Sequence, residues 1–259
     1  MATEMVESRT SDTLATVTSD AQSSAGQDER KPVTASTFKD EWRRGEAART
    51  FEYNWPREVN LEPELAAQLR DERQEQLDLQ IGEWTDQLQA CPVEYVSCRQ
   101  NSFSLTWQVV ANLPRFLSLS NGWHTYTGGA HGIYGRGSLI WDRQSRQSLK
   151  PLEMFMSAEA LDEAVGEKAC AALNRQRSKR RGEPVPQDGE WPNQCVPVED
   201  AVVFVGSSNG ETFDRIGLYY GPYLAASYAE GDFEFTFPVT SAVIEAVKPE
   251  YRSAFAVRD

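Results

Sequence analysis

Acid–base chemistry in this chain would have to begin from two histidines, His124 and His131. His131 sits in Thr125-Tyr126-Thr127-Gly128-Gly129-Ala130-His131-Gly132. An imidazole there, oriented by a carboxylate such as Asp142 or Glu230, could act as a general base in hydrolysis. A lone histidine in a glycine turn more commonly makes one structural hydrogen bond, so hydrolysis is the alternative reading and no catalytic residue is assigned. Metal chemistry fares less well. A metal-dependent hydrolase of the deacetylase kind needs an Asp with two spaced His, whereas Thr212-Phe213-Asp214-Arg215 lacks the paired Asp and no histidine follows it. The four cysteines do not form two CxxC knuckles, so their spacing argues against a structural zinc site. Gly132, Gly135 and Gly137 imitate a phosphate loop only loosely, because no Lys-Ser pair follows. No metal and no cofactor is expected.

The same turn reads better as a binding element. A second segment of like composition follows, Gly217-Leu218-Tyr219-Tyr220-Gly221-Pro222-Tyr223-Leu224-Ala225-Ala226-Ser227-Tyr228-Ala229-Glu230-Gly231. Glycine allows tight turns, and phenolic rings held near a surface can pack with one edge and hydrogen-bond with the other. The expected ligand-binding set is Tyr126, Gly128, Gly129, His131, Tyr134, Tyr220, Tyr223 and Tyr228. Charge narrows the partner. With 39 Asp and Glu against 26 Lys and Arg, the formal net charge is −13. Such a body repels nucleic acid and anionic membranes and attracts a cationic partner. Apolar runs such as Ala201-Val202-Val203-Phe204-Val205 are far shorter than the roughly 20 residues of a membrane helix, so no transmembrane segment is expected.

Positioning those turns requires a folded body, and the chain divides accordingly. The first 36 residues, rich in Ser, Thr, Ala, Asp, Glu and Gln and without an aromatic ring, read as a disordered tether. An N-terminal α+β sub-domain is expected over 37–150 and a C-terminal one over 151–259, the two sharing a contiguous body. Thr50 to Trp55 reads as an opening strand closed by Pro56. Leu65, Leu69, Leu77, Ile81, Trp84 and Leu88 then recur at helical spacing, broken at Glu72 and Arg73, with acids on the other face. Alternation of Phe103, Leu105, Trp107 and Val109 marks the clearest strand, and strands at 116–126 and 138–142 complete an antiparallel meander. Ser157 caps a helix whose face is Leu161, Val165, Ala169, Ala172 and Leu173, and whose basic end complements its dipole. Three more strands, at 201–205, 215–220 and 232–237, precede a short helix from Thr240. The expected class is α+β, antiparallel strands with two main helices.

Cys91 with Cys98, and Cys170 with Cys195, are the candidate disulfides; the other reading is four buried thiols. Bridges would place the protein outside the cytoplasm. The chain as given shows no charged leader followed by an apolar stretch, so it is either cytosolic or has lost its leader.

Pro114-Arg115 leading into Tyr126-Thr127-Gly128-Gly129-Ala130-His131-Gly132, then Tyr220-Gly221-Pro222-Tyr223, Tyr228-Ala229-Glu230-Gly231 and Phe237-Pro238, resembles one known domain family. It is the extracytoplasmic domain shared by the anti-sigma factor RsiV and the non-catalytic part of the peptidoglycan deacetylase PdaC. The resemblance runs from about Phe51 to about Ala254. It implies a mixed α+β fold in two sub-domains, a place outside the cytoplasm and a binding role; the expected protein is periplasmic or extracellular, either secreted or lipid-anchored through a removed leader. The partner it implies is a lysozyme-like muramidase or a cell-wall glycan, and under the alternative reading the hydrolase would act on cell-wall material. The chain lacks the anti-sigma factor's membrane and sigma-binding segments and the deacetylase's catalytic half, so neither signalling nor deacetylation follows.

Overall fold

The computed structural model describes residues 9–12, 33–186 and 188–258, with the backbone alone for 9–12. Residues 1–8 and 13–32 of the expected tether therefore lie outside the described residues. Arg9–Asp12 form a short strand, β1, antiparallel to β2 (Ser36–Arg44). β2 is absent from the sequence reading for a physical reason. Its apolar alternation is interrupted at Asp40, which is buried but paired with Arg49 of β3 (Ala47–Trp55), so a salt bridge occupies a core position.

After β3, the short helix α1 (Arg57–Asn60) leads into the long α2 (Pro63–Ala90), which crosses over to β4 (Gln100–Asn112). β3 and β4 pair in parallel, with Phe51 opposite Phe103 and Tyr53 opposite Leu105. The parallel pair makes this sheet mixed. A parallel pair needs a crossover of a dozen residues or more, and the expected helix supplies it. β5 (Phe116–Tyr126), β6 (Ile133–Asp142) and β7 (Gln147–Leu149) follow. The sheet runs β2-β3-β4-β5-β6-β7, with β1 added at the β2 edge.

α3 (Ala158–Arg181) begins at the expected cap, the Ser157 hydroxyl accepting from the Ala160 amide at 3.1 Å. Its expected face, Leu161 to Leu173, is buried. β8 (Val202–Gly206), β9 (Arg215–Tyr220) and β10 (Phe233–Pro238) make a separate antiparallel sheet in the order β10-β9-β8. The short α4 (Ser241–Ala246) starts at the Thr240 cap. The α+β class and its two main helices hold.

Two compact units interleave along the chain. Unit 1 takes residues up to 107 and 123–133; unit 2 takes 108–122 and 134–259. Residues 108–122 and 134–150, which the sequence reading placed with the N-terminal sub-domain, go with unit 2, because β4 and β5 each contribute residues to both. In unit 1, α2 packs Leu65, Leu69, Leu77 and Trp84 against the aromatic face of Phe51, Tyr53 and Trp55. In unit 2, α3 buries its apolar face in one cluster with Ile216, Leu218, Tyr220, Phe233 and Phe235.

Candidate functional site

The glycine turn of unit 1 is built on a disulfide. Cys91 and Cys98 are bridged, with Cα atoms 5.9 Å apart, and Gln87 of α2 donates to the Cys98 carbonyl at 2.8 Å. Gly128 rests on this loop at φ +92; a Cβ there would lie 3.0 Å from Cys98 Cα and 3.1 Å from the Ser97 carbonyl. Only glycine meets both the left-handed backbone and the close approach. Tyr126 turns its hydroxyl back to donate to the Gly129 carbonyl at 2.9 Å. His131 is exposed, and its Nδ1 stands 2.9 Å from the Gly132 carbonyl, the geometry of an Nδ1–H donor.

Unit 2 holds the other residues of the expected set. Gly221-Pro222-Tyr223-Leu224 forms a turn closed by the Leu224 amide on the Gly221 carbonyl at 3.2 Å. Tyr223 occupies it at φ +70 and is 52% exposed. Its ring lies 5.5 Å from that of Tyr228, which lies 6.1 Å from that of Tyr134. Tyr134, Tyr223 and Tyr228 are thus one cluster, continued at the surface by Leu224. Tyr220 is not part of it. It is wholly buried on the core face of β9, donating to the Val196 carbonyl at 3.3 Å, so its place in a binding surface is corrected to one in the core.

Three arginines at the end of α3 hold this turn, a role the sequence reading did not give them. Arg177 is fully buried and donates through Nε to the Ala225 carbonyl at 2.9 Å. Its Nη1 donates to the carbonyls of Asn193 at 3.1 Å and Gln194 at 2.9 Å, beside the bridge between Cys170 and Cys195. Burial, with Arg181 adding to it, lowers the Arg177 pKa to about 10, which leaves it charged at neutral pH. Arg180 donates to the carbonyls of Glu230 and Asp232 and covers the Phe233 ring at 3.9 Å. Arg181 forks onto the Glu230 carboxylate at 2.8 and 3.2 Å. The basic end of α3 is therefore a clasp for the segment 225–232. Its sequence signal was the crowding of arginines, which helix-dipole reasoning absorbed.

The carboxylates named for the hydrolytic alternative are both engaged by arginine. Glu230 belongs to Arg181, as above. Asp142 accepts from Arg115 through both oxygens, at 3.0 and 2.7 Å, and from the Gln144 amide at 2.9 Å. Burial pushes its pKa up, but these bonds outweigh that and hold the carboxyl below its usual range. Among the described residues, no three His, Cys, Asp or Glu side chains gather as a metal site. No helix among them is long and apolar enough to cross a membrane.

A second concavity, missed in the sequence, lies in unit 1 between α2 and one face of β4 and β5. Glu72, Gln76, Leu79, Gln80 and Glu83 fall on one helical stripe; they face Asn101, Phe103 and Leu105 of β4 and Trp123 and Thr125 of β5 across a groove of about 400 Å³. Polar bonds brace it from below. Trp107 donates to the Tyr53 hydroxyl at 3.0 Å, which donates to Glu72 at 2.8 Å. Gln80 donates to the Thr50 carbonyl and to Asn101, and accepts from Arg49 at 3.1 Å. The signal in the sequence was the break at Glu72 and Arg73. Both are partly buried and turned toward the sheet, Arg73 lying 4.1 Å over the Phe38 ring.

Residues 45–134 match the family model described as deacetylase PdaC. The stretch runs from β3 through α2 to the glycine turn. No curated protein matches the chain. Among solved structures it is similar to a DUF3298 family protein from Pseudomonas aeruginosa PAO1, with 20% identity over 88% of this chain and 99% of that one, at a TM-score of 0.52. It is also similar to a DUF3298 family member from Bacteroides fragilis NCTC 9343, with 16% identity over 80% and 92% of the two chains, at a TM-score of 0.46. Residues 45–134 thus match the PdaC family model, within a chain whose fold is similar to that of a DUF3298 family protein.

Proposed function

We propose that this chain is an extracytoplasmic binding domain of the RsiV and PdaC kind, acting at the cell envelope and docking a cationic protein such as a lysozyme-like muramidase. Tyr223 carries this reading. A non-glycine residue at φ +70 costs on the order of 1–2 kcal/mol. Glycine or asparagine would relieve that cost, yet a large ring stands there, half exposed and backed by Tyr228. The three-arginine clasp fixes the backbone beneath it, so the ring is presented with little left to order on binding. Tyrosine held rigidly at a surface is the residue type that dominates binding energy at protein interfaces.

Charge chooses the partner. A net charge of −13 speeds encounter with a cationic protein in a salt-dependent manner, whereas a neutral stretch of cell-wall glycan gains nothing from it. The two disulfides suit an oxidising compartment. The test is a titration of a cationic lysozyme against the protein at low and at physiological salt. Binding that weakens as salt rises, and that Tyr223→Asn reduces at both, is expected. Absence of binding at either salt rejects the reading.

A further inference from the structure

We propose that the groove between α2 and the β4–β5 face receives a basic side chain, an arginine or lysine presented by an extended segment of a partner protein. The inference goes beyond the docking of the tyrosine turn and does not need the partner named there. Its chemistry is one-sided. Glu72 and Glu83 stand on the helix wall, and among the described residues lining the groove none is basic. The adjoining ridge of α2 continues the same sign through Asp71, Glu75 and Asp78, which share a shallow surface with Leu79 and Glu83.

The floor supplies what a basic side chain needs beyond counter-charge. Phe103, stacked on Phe51 at 5.1 Å, and the partly exposed Trp123 offer ring faces to a guanidinium or to an aliphatic stem. Glu72 is held in place rather than swinging in solvent, because Tyr53 donates to it and Trp107 fixes Tyr53. A carboxylate so placed, partly buried and with Glu75 near it, has its charge poorly compensated in the unliganded protein. An incoming cation would relieve that directly, and the low local polarity would strengthen the pair. A neutral sugar could stack on Trp123 but would leave the Glu72 charge desolvated and unanswered. At about 400 Å³ the groove has room for a side chain and a neighbouring peptide unit.

The probes are the blocked tripeptide N-acetyl-Ala-Arg-Ala-amide and its citrulline analogue, which has nearly the same shape without the charge. Each is titrated into the full chain and followed by amide and indole NMR shifts. The arginine peptide should move the Trp123 indole and the amides of Thr125 and Thr127 in a saturable way, and the citrulline peptide should bind at least about tenfold more weakly. Glu72→Gln with Glu83→Gln should cost about tenfold or more, while Asp71→Asn with Asp78→Asn, an equal change in net charge outside the groove, should cost under about threefold. Both double variants are first checked for native spectra. Equal binding of the two peptides, shifts that map elsewhere, equal losses in the two double variants, or occupation of the groove by a chitin oligosaccharide but not by the arginine peptide would each overturn the inference. Failure of lysozyme to bind would instead count against the docking reading alone.

Discussion

Arg177 is the residue whose removal most sharply tests how the tyrosine turn is held. Arg177→Met keeps most of the side-chain stem but deletes the guanidinium. Three carbonyls, the buried one of Ala225 and the partly buried ones of Asn193 and Gln194, then lose a charged donor. An acceptor left unmatched costs roughly 1–3 kcal/mol depending on its burial, about 3 for Ala225 and about 1 for each of the other two, so the loss is on the order of 5 kcal/mol. Relief of the buried charge offsets part of it. The same burial that lowers the Arg177 pKa to about 10 is a penalty of a few kcal/mol that methionine does not carry. The expected net destabilisation is about 2 kcal/mol.

Because the chain has two compact units, a single melting temperature is not enough. Urea unfolding followed by hydrogen exchange separates a global loss from a local one. We expect faster exchange in residues 221–232 and 192–196, with the groove segment 123–127 unchanged. Arg175→Met is the control, since Arg175 lies on the exposed side of α3 and should change stability by less than about 0.5 kcal/mol. A loss below about 1 kcal/mol for Arg177→Met, or unaltered exchange in both segments, would refute the clasp.

The remaining predictions follow from single contacts. Replacing Cys170 and Cys195 by serine should cost about 3.5 kcal/mol from the 25-residue separation they close, against about 2.4 kcal/mol for Cys91 and Cys98 at a separation of 7, read by denaturation of oxidised and variant protein; equal losses would contradict the loop-length argument. Gly128→Ala should destabilise unit 1 by about 2 kcal/mol, through its φ of +92 and the approach to Cys98, and thermal unfolding would show it. Glu72→Gln should raise stability at neutral pH. Burial, and Glu75 with it, lifts the folded pKa of Glu72 above its unfolded value despite the Tyr53 hydroxyl, so the fold favours the protonated form; the stability this gives is complete below the unfolded pKa and lost as pH rises through the folded one. The variant's advantage should therefore shrink as pH falls toward the ordinary glutamate range, and a constant advantage across pH would sink the assignment. Tyr223→Asn should leave stability within about 1 kcal/mol, because relief of left-handed strain offsets the lost ring contact with Tyr228, while weakening lysozyme binding.

Legibility in the sequence tracks whether a residue's role is local. The Ser157 and Thr240 caps, the α3 face, β5 and β9 were readable because cap chemistry and apolar period are written within a few residues. β2 was not, since Asp40 at a core position makes sense only once Arg49 is opposite. The parallel pairing of β3 and β4 was hidden in the same manner: both strands and the helix between them were visible, but the pairing is a property of the crossover. For the site, composition located the two turns and could not sort their rings. Tyr220 and Tyr223 lie three residues apart with similar neighbours, yet one faces the core of β9 and the other stands on a strained turn.

The arginines sharpen the same lesson electrostatically. A tally of charge treats Arg177, Arg180 and Arg181 as basic surface, but Arg177 and Arg180 donate to backbone carbonyls and Arg181 to the carboxylate of Glu230. Arg49 and Arg115 are likewise engaged by the buried Asp40 and Asp142. Arg49, Arg115 and Arg181, each paired with a carboxylate, project little net field. The acids of α2 are distributed the other way, with Asp71, Glu75, Asp78 and Asp86 exposed to solvent. The protein thus presents a more negative face than a uniform spread of its −13 would produce, at least along α2. Salt should therefore weaken binding of a basic peptide to the α2 groove more steeply than binding at a contact governed by the tyrosine rings alone.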